Sequence, residues 1–460
     1  MRREREQGMN HEKEAIPRLF GTDGVRGEVN SELTPELALR LGCAAVQVLA
    51  RNSSHPLLVL GRDTRLSGGM LEAALVAGIC SGGGRVELLG VIPTPAVAYL
   101  VRSRGADAGV VISASHNPAG DNGIKFFHRN GFKLPDEVES EMERLVRERR
   151  DFGRPRGDAV GIYRQVPEAE EEYLHHLLSI TRPDLSSLRV VVDSAHGAAY
   201  RVAPKLLESL GAEVISINAS PDGLNINREC GSTHCDGLQR EVVERGAHLG
   251  LAFDGDADRL IAVDGEGRVL DGDFIMAICA MHLKEKGLLK KNAVVTTVMA
   301  NLGFHRAMRG AGIEVHVTQV GDRYVLERML GEGNNLGGEQ SGHLIFLDHA
   351  TTGDGLVTAL MLAEALVEHG GPLSSLARVM EKVPQLLINV PVKEKEGLLE
   401  NKRIAEALHA WEERLGDEGR VLLRPSGTEP VVRVMVEALS REIAERAACE
   451  LAELVERERG

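Results

Sequence analysis

Short apolar runs alternate with amphipathic segments through most of the chain. The run "LLVLG" from Leu57 predicts a buried strand, and Ser67–Ile79 predicts a helix that ends near three glycines. The next strands are "VELLG" and Gly109–Ile112, separated by a helix with Thr94 as its cap and Pro95 as its first residue. This order of strands and helices predicts parallel strands joined by right-handed crossovers.

The same alternation continues to the C-terminus and divides the chain into four units. The charged stretch "RRDFGRPRGD" marks the first boundary, and an acidic loop, "DGDADR", lies later between two short strands. The final strands, "RVLL" and "VVRVMVE", precede a charged terminal helix. We therefore predict an α/β protein whose last unit is smaller and α+β, with units at residues 17–165, 166–265, 266–385 and 386–460.

Composition narrows the classes of partner. The 460 residues carry a net charge of −14, which argues against nucleic acid as the main partner. Aromatic residues make up only 3%, so a base-stacking surface is not expected either. An anionic substrate would need a local basic pocket to overcome the overall negative field.

The absence of long apolar runs and the pattern of cysteines indicate a cytoplasmic location. We find no apolar run of about 18 residues, and the charged segment before Pro17 lacks the apolar core of a secretory peptide. We expect that segment to be a disordered extension. The scattered cysteines fit a reducing compartment, and Cys230 and Cys235, which flank His234, are interpreted as structural.

The acidic loop places Asp254, Asp256 and Asp258 at alternate positions between apolar strands. An EF-hand is excluded, because Arg259 and Gly265 stand where that loop needs glycine and glutamate. A solvated turn is the alternative, but three crowded carboxylates repel one another without a cation. The pattern therefore favours a magnesium or calcium site.

The stretch "SASHNP" places Ser115 just past the end of a strand, where ligands of parallel sheets gather. Side chains of adjacent residues on extended backbone point to opposite faces, so His116 is not expected to serve as a base for Ser115. The stretch also lacks the G-x-S-x-G elbow of hydrolases. Two interpretations remain open: a serine that carries a phosphoryl group, or a polar cap on a strand end.

Two further loops carry polar groups suited to a phosphosugar. "GGEQSGH" offers Glu339, Ser341 and His343 at alternate positions, which suits hydrogen bonds to sugar hydroxyls. "RPSGTEP" offers a guanidinium, hydroxyls and backbone amides that suit a phosphate, from Arg424, Ser426, Gly427 and Thr428, with Arg433 downstream. Each loop taken alone is also compatible with an ordinary turn. Taken together, metal site, serine, sugar loop and phosphate loop indicate phosphoryl transfer on a phosphosugar.

From Arg18 to Glu437 the chain contains, in order, the motifs "RLFGTDGVRG", "GRDTR", "ISASHNP", "DNGIKFF", "CGSTH", "DGDADR", "GGEQSGH", "TTGDG" and "RPSGTEPVVRVMVE". Together these motifs resemble the α-D-phosphohexomutase superfamily, and most of all its bacterial phosphoglucosamine mutases. The resemblance implies a four-domain phosphohexomutase architecture. Three mixed α/β sheet domains (catalytic phosphoserine, metal-binding and sugar-binding) and a smaller α+β phosphate-binding C-terminal domain would surround a central cleft.

The resemblance also implies a role for each candidate residue. Ser115 would be a phosphoserine whose phosphate binds Mg²⁺ together with Asp254, Asp256 and Asp258. The catalytic cleft would contain Arg26, His116, Lys125 and His343. Substrate would be bound by Glu339, Ser341, Arg424, Ser426, Gly427, Thr428, Arg433 and Arg259. Lys125 and His343 are the candidate acid and base, and we expect neighbouring cations to lower the pKa of Lys125.

The implied reaction interconverts glucosamine 6-phosphate and glucosamine 1-phosphate through a 1,6-bisphosphate, feeding UDP-N-acetylglucosamine and cell-wall synthesis. A hexosamine or hexose 1,6-bisphosphate would be the activator, and a homodimer is expected. By resemblance, Gln340 and the stretch "GSTH" indicate glucosamine as the sugar. The alternatives are a phosphomannomutase or phosphoglucomutase, and an aspartyl phosphatase that uses Asp254 as its nucleophile.

Overall fold

A computed structural model describes residues 18–21, 23–148, 154–395, 397–426 and 430–460. Four β-sheets follow one another along the chain, and helices pack against each of them. The first three sheets contain parallel strands joined by helices, and the fourth is antiparallel and smaller. The predicted fold class is therefore confirmed.

The first sheet has the strand order β1-β5-β4-β2-β3-β6. Its strands are β1 (Val25–Glu28), β2 (Leu57–Arg62), β3 (Arg85–Val91), β4 (Ala108–Ile112), β5 (Asp121–His128) and β6 (Tyr163–Gln165). Its helices are α1 (Pro35–Leu49), α2 (Gly68–Ser81), α3 (Thr94–Ser103) and α4 (Asp136–Glu148). The predicted parallel arrangement holds for β2, β3 and β4.

Strand β5 runs antiparallel to β4, which the sequence pattern did not predict. The loop 113–120 that joins them is too short for a parallel crossover, which needs about a dozen residues or more. The tight return brings β5, and Lys125 with it, back along the strand that leads to Ser115. The predicted cap of α3 is also wrong: Pro93 precedes the helix, and the Thr94 hydroxyl donates to Asp256 Oδ2 at 2.6 Å.

The second sheet has the order β11-β10-β9-β7-β8. Its strands are β7 (Arg189–Asp193), β8 (Glu213–Ile217), β9 (Leu249–Phe253), β10 (Leu260–Asp264) and β11 (Val269–Leu270). The helices around it are α5 (Ala169–Ile180), α6 (Val202–Ser209) and α7 (Asp236–Glu244). Strands β9 and β10 pair antiparallel, so the acidic loop is the tight connection between two wholly buried strands.

The third sheet has the order β13-β12-β14-β15. Its strands are β12 (Ala293–Thr297), β13 (Glu314–Thr318), β14 (Leu336–Gly338) and β15 (Leu344–Phe346). Its helices are α8 (Gly272–Glu285), α9 (Leu302–Gly310), α10 (Asp322–Glu332), α11 (Gly355–His369) and α12 (Leu373–Leu376). The antiparallel pair β14 and β15 carries the predicted sugar loop at its turn.

The fourth sheet is antiparallel, with the order β16-β18-β17. Its strands are β16 (Gln385–Pro391), β17 (Gly419–Pro425) and β18 (Val431–Ala438), and its helices are α13 (Lys402–Leu415) and α14 (Arg441–Arg459). An apolar cluster of its own supports this sheet, whereas a single large cluster spans helices and strands of the other three. Within the described ranges, no helix combines the length and the apolar character needed to cross a membrane.

Candidate active site

Ser115 lies in a buried turn directly after β4, with only 1% of its surface exposed. Its φ of +51° is in the left-handed region, which few residues other than glycine and asparagine occupy. The Ser115 hydroxyl donates to Asp254 Oδ2 at 2.5 Å, and its amide donates to Ser113 Oγ at 3.0 Å. The serine is therefore held at the acidic loop of the second sheet.

Two buried side chains hold this turn from behind. Arg65 donates to the carbonyl oxygens of Ser115 and Asn117, at 3.0 and 2.9 Å. Asn227 donates to the same two oxygens, at 2.8 and 3.0 Å. Arg65 is itself fixed by an ion pair with the fully buried Asp63, at 2.8 Å. The strained backbone of Ser115 is thus supported by donors from loops that follow strands of two different sheets.

His116 lies beside Ser115 and not on the opposite face. Its Nδ1 is 3.2 Å from Ser115 Oγ, so the expected divergence of these two side chains is wrong. The left-handed turn at Ser115 is the reason, since the alternation rule applies to extended backbone only. Burial, helped by the charges of Arg259 and Arg26, lowers the pKa of His116 to about 4. His116 is therefore neutral at physiological pH.

The three aspartates of the acidic loop converge as predicted. One carboxylate oxygen from each of Asp254, Asp256 and Asp258 lies within 4.8 Å of the others, and all three residues are buried. Burial and then the charges of Asp258 and Asp256 raise the pKa of Asp254 well above its ordinary range. Asp256 Oδ1 and Asp258 Oδ1 are buried without a hydrogen-bond partner in the described part of the chain. Three converging carboxylates, two of which have an unpartnered oxygen, are a donor set that fits a hard divalent cation.

Lys125, on β5, contacts carboxylates and not the cations that we expected around it. Its ammonium is 2.8 Å from both Asp23 and Asp256 and 3.9 Å from Asp258. Burial disfavours its charge, but these carboxylates outweigh burial and raise its pKa. The expected lowering of the Lys125 pKa is therefore wrong, and Lys125 is held protonated. Arg26, on the adjacent strand β1, pairs with the same Asp23.

His343 ends the sugar loop and lies close to Asp258 of the acidic loop. Its Nδ1 is 3.6 Å from Asp258 Oδ2, and its Nε2 is 3.4 Å from Asp322 Oδ2. The amide of Gly353 donates to Nε2 at 3.1 Å. A Cβ at position 353 would lie 2.4 Å from that nitrogen, which accounts for the glycine in "TTGDG". Burial lowers the pKa of His343, but Asp258 and Asp322 outweigh it and raise the pKa overall.

The sugar loop packs directly against the acidic loop. The amide of Leu260, at the start of β10, donates to Gly342 O at 3.0 Å, and a Cβ on Gly342 would lie 2.3 Å from Leu260 O. Glu339 is half-buried and accepts a hydrogen bond from the Gly321 amide at 3.1 Å, while Ser341 is exposed. Arg259 ends the acidic loop, and its guanidinium is 3.7 Å from Asp258. Burial disfavours its charge, but carboxylates that include Asp258 and Glu339 outweigh burial and raise its pKa.

The predicted phosphate loop lies on the fourth sheet. Arg424 on β17 and Arg433 on β18 stand directly opposite each other in the strand register. Burial and then the charge of Arg433 lower the pKa of Arg424. Two like charges held side by side favour an anion between them. Ser426 is buried next to them, whereas Gly427 and Thr428 lie outside the described residues.

Sequence reasoning missed a row of charges that links these groups. Lys133 pairs with Asp23 at 2.6 Å and with Asp322 at 2.5 Å, so it connects the partner of Lys125 with the partner of His343. Asp23 and Arg65 stand inside the conspicuous motifs "GTDGVRG" and "GRDTR". Lys133, Asp322 and Asn227 carried no such signal, because only the folded chain brings them to the site.

Comparison with known proteins agrees with this geometry. Models of the phosphoglucomutase/phosphomannomutase family match in chain order: alpha/beta/alpha domain I at residues 17–151, domain II at 171–267, domain III at 271–383 and the C-terminal domain at 387–454. A phosphoglucosamine mutase of Desulforamulus reducens is 54% identical over 96% of this chain and 99% of its own length. One of Moorella thermoacetica is 56% identical over 92% of this chain and 96% of its own length.

The chain belongs to the phosphoglucosamine mutase family of the phosphohexomutases. A solved phosphoglucomutase/phosphomannomutase family protein from Burkholderia thailandensis is 25% identical and superposes with a TM-score of 0.78, covering 95% of this chain and 98% of that one. Membership in the phosphoglucosamine mutase family makes the chain an isomerase and disfavours the phosphomannomutase, phosphoglucomutase and aspartyl phosphatase alternatives.

Proposed function

We propose that this chain interconverts glucosamine 6-phosphate and glucosamine 1-phosphate by way of a phosphoserine at Ser115. The observation that carries the proposal is the contact of Ser115 Oγ with Asp254 Oδ2 at 2.5 Å, inside a turn held from behind by Arg65 and Asn227. A merely structural polar cap would not need a strained turn that places its hydroxyl on a carboxylate of the acidic loop. A polar cap on a strand end, the alternative that the sequence left open, is therefore the weaker interpretation.

Asp254, Asp256 and Asp258 would hold Mg²⁺ together with the Ser115 phosphate. The donor set is all oxygen, three carboxylates and a phosphate, which is the chemistry that Mg²⁺ selects. The unpartnered oxygens of Asp256 and Asp258 support this assignment. When bound, the ion would neutralise charge that develops on the phosphoryl oxygens during transfer.

The protein groups around the serine would move the protons. Phosphoryl transfer leaves the Ser115 oxygen in need of a proton, and Lys125, held protonated by its carboxylate partners, would supply it. The attacking sugar hydroxyl loses a proton, and His343, whose pKa is raised, would accept it. In the return transfer each group acts in the opposite sense. Neutral His116 and Arg26 would bind the phosphate oxygens of Ser115.

Both ends of the sugar must use the same serine in turn. The first transfer would form a 1,6-bisphosphate, and the second would return the other phosphate to Ser115. Glu339 and Ser341 would bind the sugar hydroxyls, with Arg259 beside them. The outer phosphate would be bound by Arg424, Ser426, Gly427, Thr428 and Arg433. A hexosamine or hexose 1,6-bisphosphate would restore an enzyme that has lost its serine phosphate.

The decisive experiment measures the intact mass and then the peptide map of the purified protein. We expect one phosphate on Ser115, either at isolation or after incubation with glucose 1,6-bisphosphate. The variant Ser115→Ala should lose at least about a thousandfold in kcat, while Ser179→Ala, an exposed serine on α5, should leave kcat unchanged. A fully active Ser115→Ala enzyme, or failure of both phosphorylation routes, would refute the phosphoserine mechanism.

Substrate choice is tested by coupled assays on competing sugars. We expect a higher kcat/KM for glucosamine 6-phosphate than for mannose 1-phosphate or glucose 1-phosphate. The reverse order would contradict the proposed substrate but leave the phosphoserine chemistry in place. The product would feed UDP-N-acetylglucosamine and cell-wall synthesis in the cytoplasm, and we propose a homodimer, which light scattering of the purified protein tests.

A further inference from the structure

The sugar loop rests on the beginning of α8. The amide of Gly272 donates to Gln340 O at 3.0 Å, and a Cβ on Gly272 would lie 2.1 Å from Glu339 O. Gln340 Nε2 donates to Asp273 Oδ2 at 3.3 Å. The amide of Gln340 thus points away from the substrate side, toward α8. Gln340 therefore supports the loop from behind, and the expectation that it signals glucosamine gains no contact from the structure.

Asp273 connects this loop to a second element. Its Oδ2 also accepts a hydrogen bond from the backbone amide of Asn301 at 2.7 Å, and Asp273 and Asn301 are both fully buried. Asn301 caps α9 through Oδ1, which accepts from Gly303 at 2.9 Å and from Val383, also at 2.9 Å. Val383 lies on the short link between the third and fourth sheets. Asn301 therefore contacts both this link and Asp273, the residue that supports the sugar loop.

The fourth sheet reaches the same point with a buried carboxylate. Asn301 Nδ2 donates to Glu437 Oε1 at 3.0 Å, and the amide of Leu302 donates to Glu437 Oε2 at 2.9 Å. Arg420 donates to Glu437 Oε2 at 2.7 Å and to Ala300 O at 2.5 Å. Glu437 has no exposed surface. Charge-assisted bonds of this kind are stronger than neutral ones and fix geometry closely.

The position of Glu437 on its strand gives this contact a consequence for substrate binding. In the register of β17 and β18, Arg420 faces Glu437 and Arg424 faces Arg433. The contact with Asn301 and the proposed phosphate grip therefore lie on the same two strands, roughly 13 Å apart at about 3.3 Å per residue. The fourth sheet has its own apolar core, so these polar bonds help set its position against the third sheet.

We propose that Asp273 is a positioning residue that joins the sugar loop at Gln340 to the fourth sheet at Glu437, through Asn301. The two parts that are proposed to bind the ends of the substrate are then connected by one chain of hydrogen bonds. The inference rests on the proposed function for the roles of the sugar loop and the phosphate loop as substrate-binding regions. The chain of hydrogen bonds itself does not depend on that function. Asp273 touches no reacting atom and acts through the loop that it supports.

The first test separates binding from chemistry. Asp273→Asn keeps a carbonyl oxygen for the two accepted bonds, and Asp273→Ala removes it. We expect Asp273→Ala to raise KM for glucosamine 6-phosphate about tenfold with kcat within about threefold of wild type, and Asp273→Asn to restore KM. A lower kcat with unchanged KM in Asp273→Ala, or no rescue by Asp273→Asn, would contradict the positioning role.

The second test measures the connection without turnover. Both carboxylate oxygens of Glu437 accept hydrogen bonds, so in Glu437→Gln the side-chain NH2 group faces a donor and one of these bonds is lost. We expect hydrogen exchange of the backbone amides at 339–343 to become about threefold faster or more. Glu453→Gln, an exposed glutamate on α14, is the matched control and should change nothing. Unchanged exchange in the loop would overturn the proposal even in a fully active enzyme. If Glu437→Gln does not fold, Arg420→Gln breaks the same contact more mildly.

A double-mutant cycle closes the test. If Asp273 and Glu437 act through one chain of bonds, Asp273→Ala combined with Glu437→Gln should raise KM no more than the larger single change. Independent effects would multiply to about a hundredfold if each is about tenfold, and that outcome would refute the coupling. Absence of glucosamine phosphate turnover in the wild type would instead contradict the proposed function, since the exchange experiment needs no substrate.

Discussion

At the scale of single residues, backbone conformation decides the chemistry of the site. Ser115 has a φ of +51°, and Asn227, which donates hydrogen bonds to the turn that contains Ser115, has a φ of +58°. The left-handed Ser115 brings its own hydroxyl, His116 and Asp254 together, which an extended backbone would not do. A sequence motif states which residues are present, but it does not state the sign of φ.

Buried carboxylates make the stability of the protein depend on pH. Burial and then the charge of Asp271 raise the pKa of Asp273 to about 8, against the weaker effects of the hydrogen bond from the Asn301 backbone amide and of the charge of Lys382. The folded chain keeps the proton up to that pH, while the unfolded chain releases it near pH 4. The contribution of Asp273 to the free energy of unfolding is therefore complete below about pH 4 and is lost as the pH rises to about 8.

The variant Asp273→Asn tests this dependence, because an amide cannot ionise. We expect the free energy of unfolding of the wild type to fall more steeply between pH 6 and 8 than that of Asp273→Asn, by up to about 1.4 kcal/mol per pH unit. Urea unfolding at several pH values measures the difference. Parallel curves for the two proteins would show that Asp273 is already ionised at pH 6.

At the scale of elements, short connections between antiparallel strands bring the site together. The loops β4–β5, β9–β10 and β14–β15 each join neighbouring antiparallel strands, and each carries part of the site. The sequence pattern predicted the three polar loops, strand β4 and the strands on either side of the acidic loop, since apolar runs mark those strands. It did not predict β5, β14 or β15 as strands. Nor did it predict that β5 returns antiparallel, because run length and period are the same for either direction.

Asn227, which follows a strand of the second sheet, supports the β4–β5 loop of the first sheet and allows a test of that loop. Asn227→Gly keeps the left-handed backbone but removes the donor to the carbonyls of Ser115 and Asn117. We expect a loss of about 1–3 kcal/mol in the free energy of unfolding and a lower kcat, because two buried acceptors lose a partner. Arg228→Ala, at an exposed neighbouring position, should change neither quantity. Equal stability and kcat in Asn227→Gly would contradict the supporting role.

At the scale of the whole molecule, the sequence predicted which groups belong to the site better than how they contact one another. Ser115, the three aspartates and His343 do gather, because each sits at a strand end or tight loop that a motif marks. The charge around Lys125 was predicted with the wrong sign, since Asp23 approaches it from another strand and Lys133 and Asp322 continue the row. Contacts between distant segments depend on packing, which no local pattern contains.

Metal removal tests the site as a whole. Three buried carboxylates crowded into one loop repel one another and destabilise the fold unless a cation binds. Mg²⁺ should therefore raise the melting temperature above the value measured with EDTA. At a concentration about 100 times Kd, we expect roughly 2.7 kcal/mol of stabilisation. Asp256→Asn should lose most of that response. A melting temperature that ignores both Mg²⁺ and EDTA would argue against a cation at these aspartates, independently of any activity.

The support of Ser115 by Asn227 and Asp254 also has a consequence for synthesis on the ribosome. These partners follow the serine by 112 and 139 residues. At about 5–20 residues per second, translation delivers Asn227 roughly 6 to 22 seconds after Ser115. The nascent first domain can form its sheet in that interval, but its serine turn waits for the second domain to emerge. On the proposed mechanism, a newly made chain would therefore be unable to accept its first phosphate until more than half of it, as far as Asp254, has been translated.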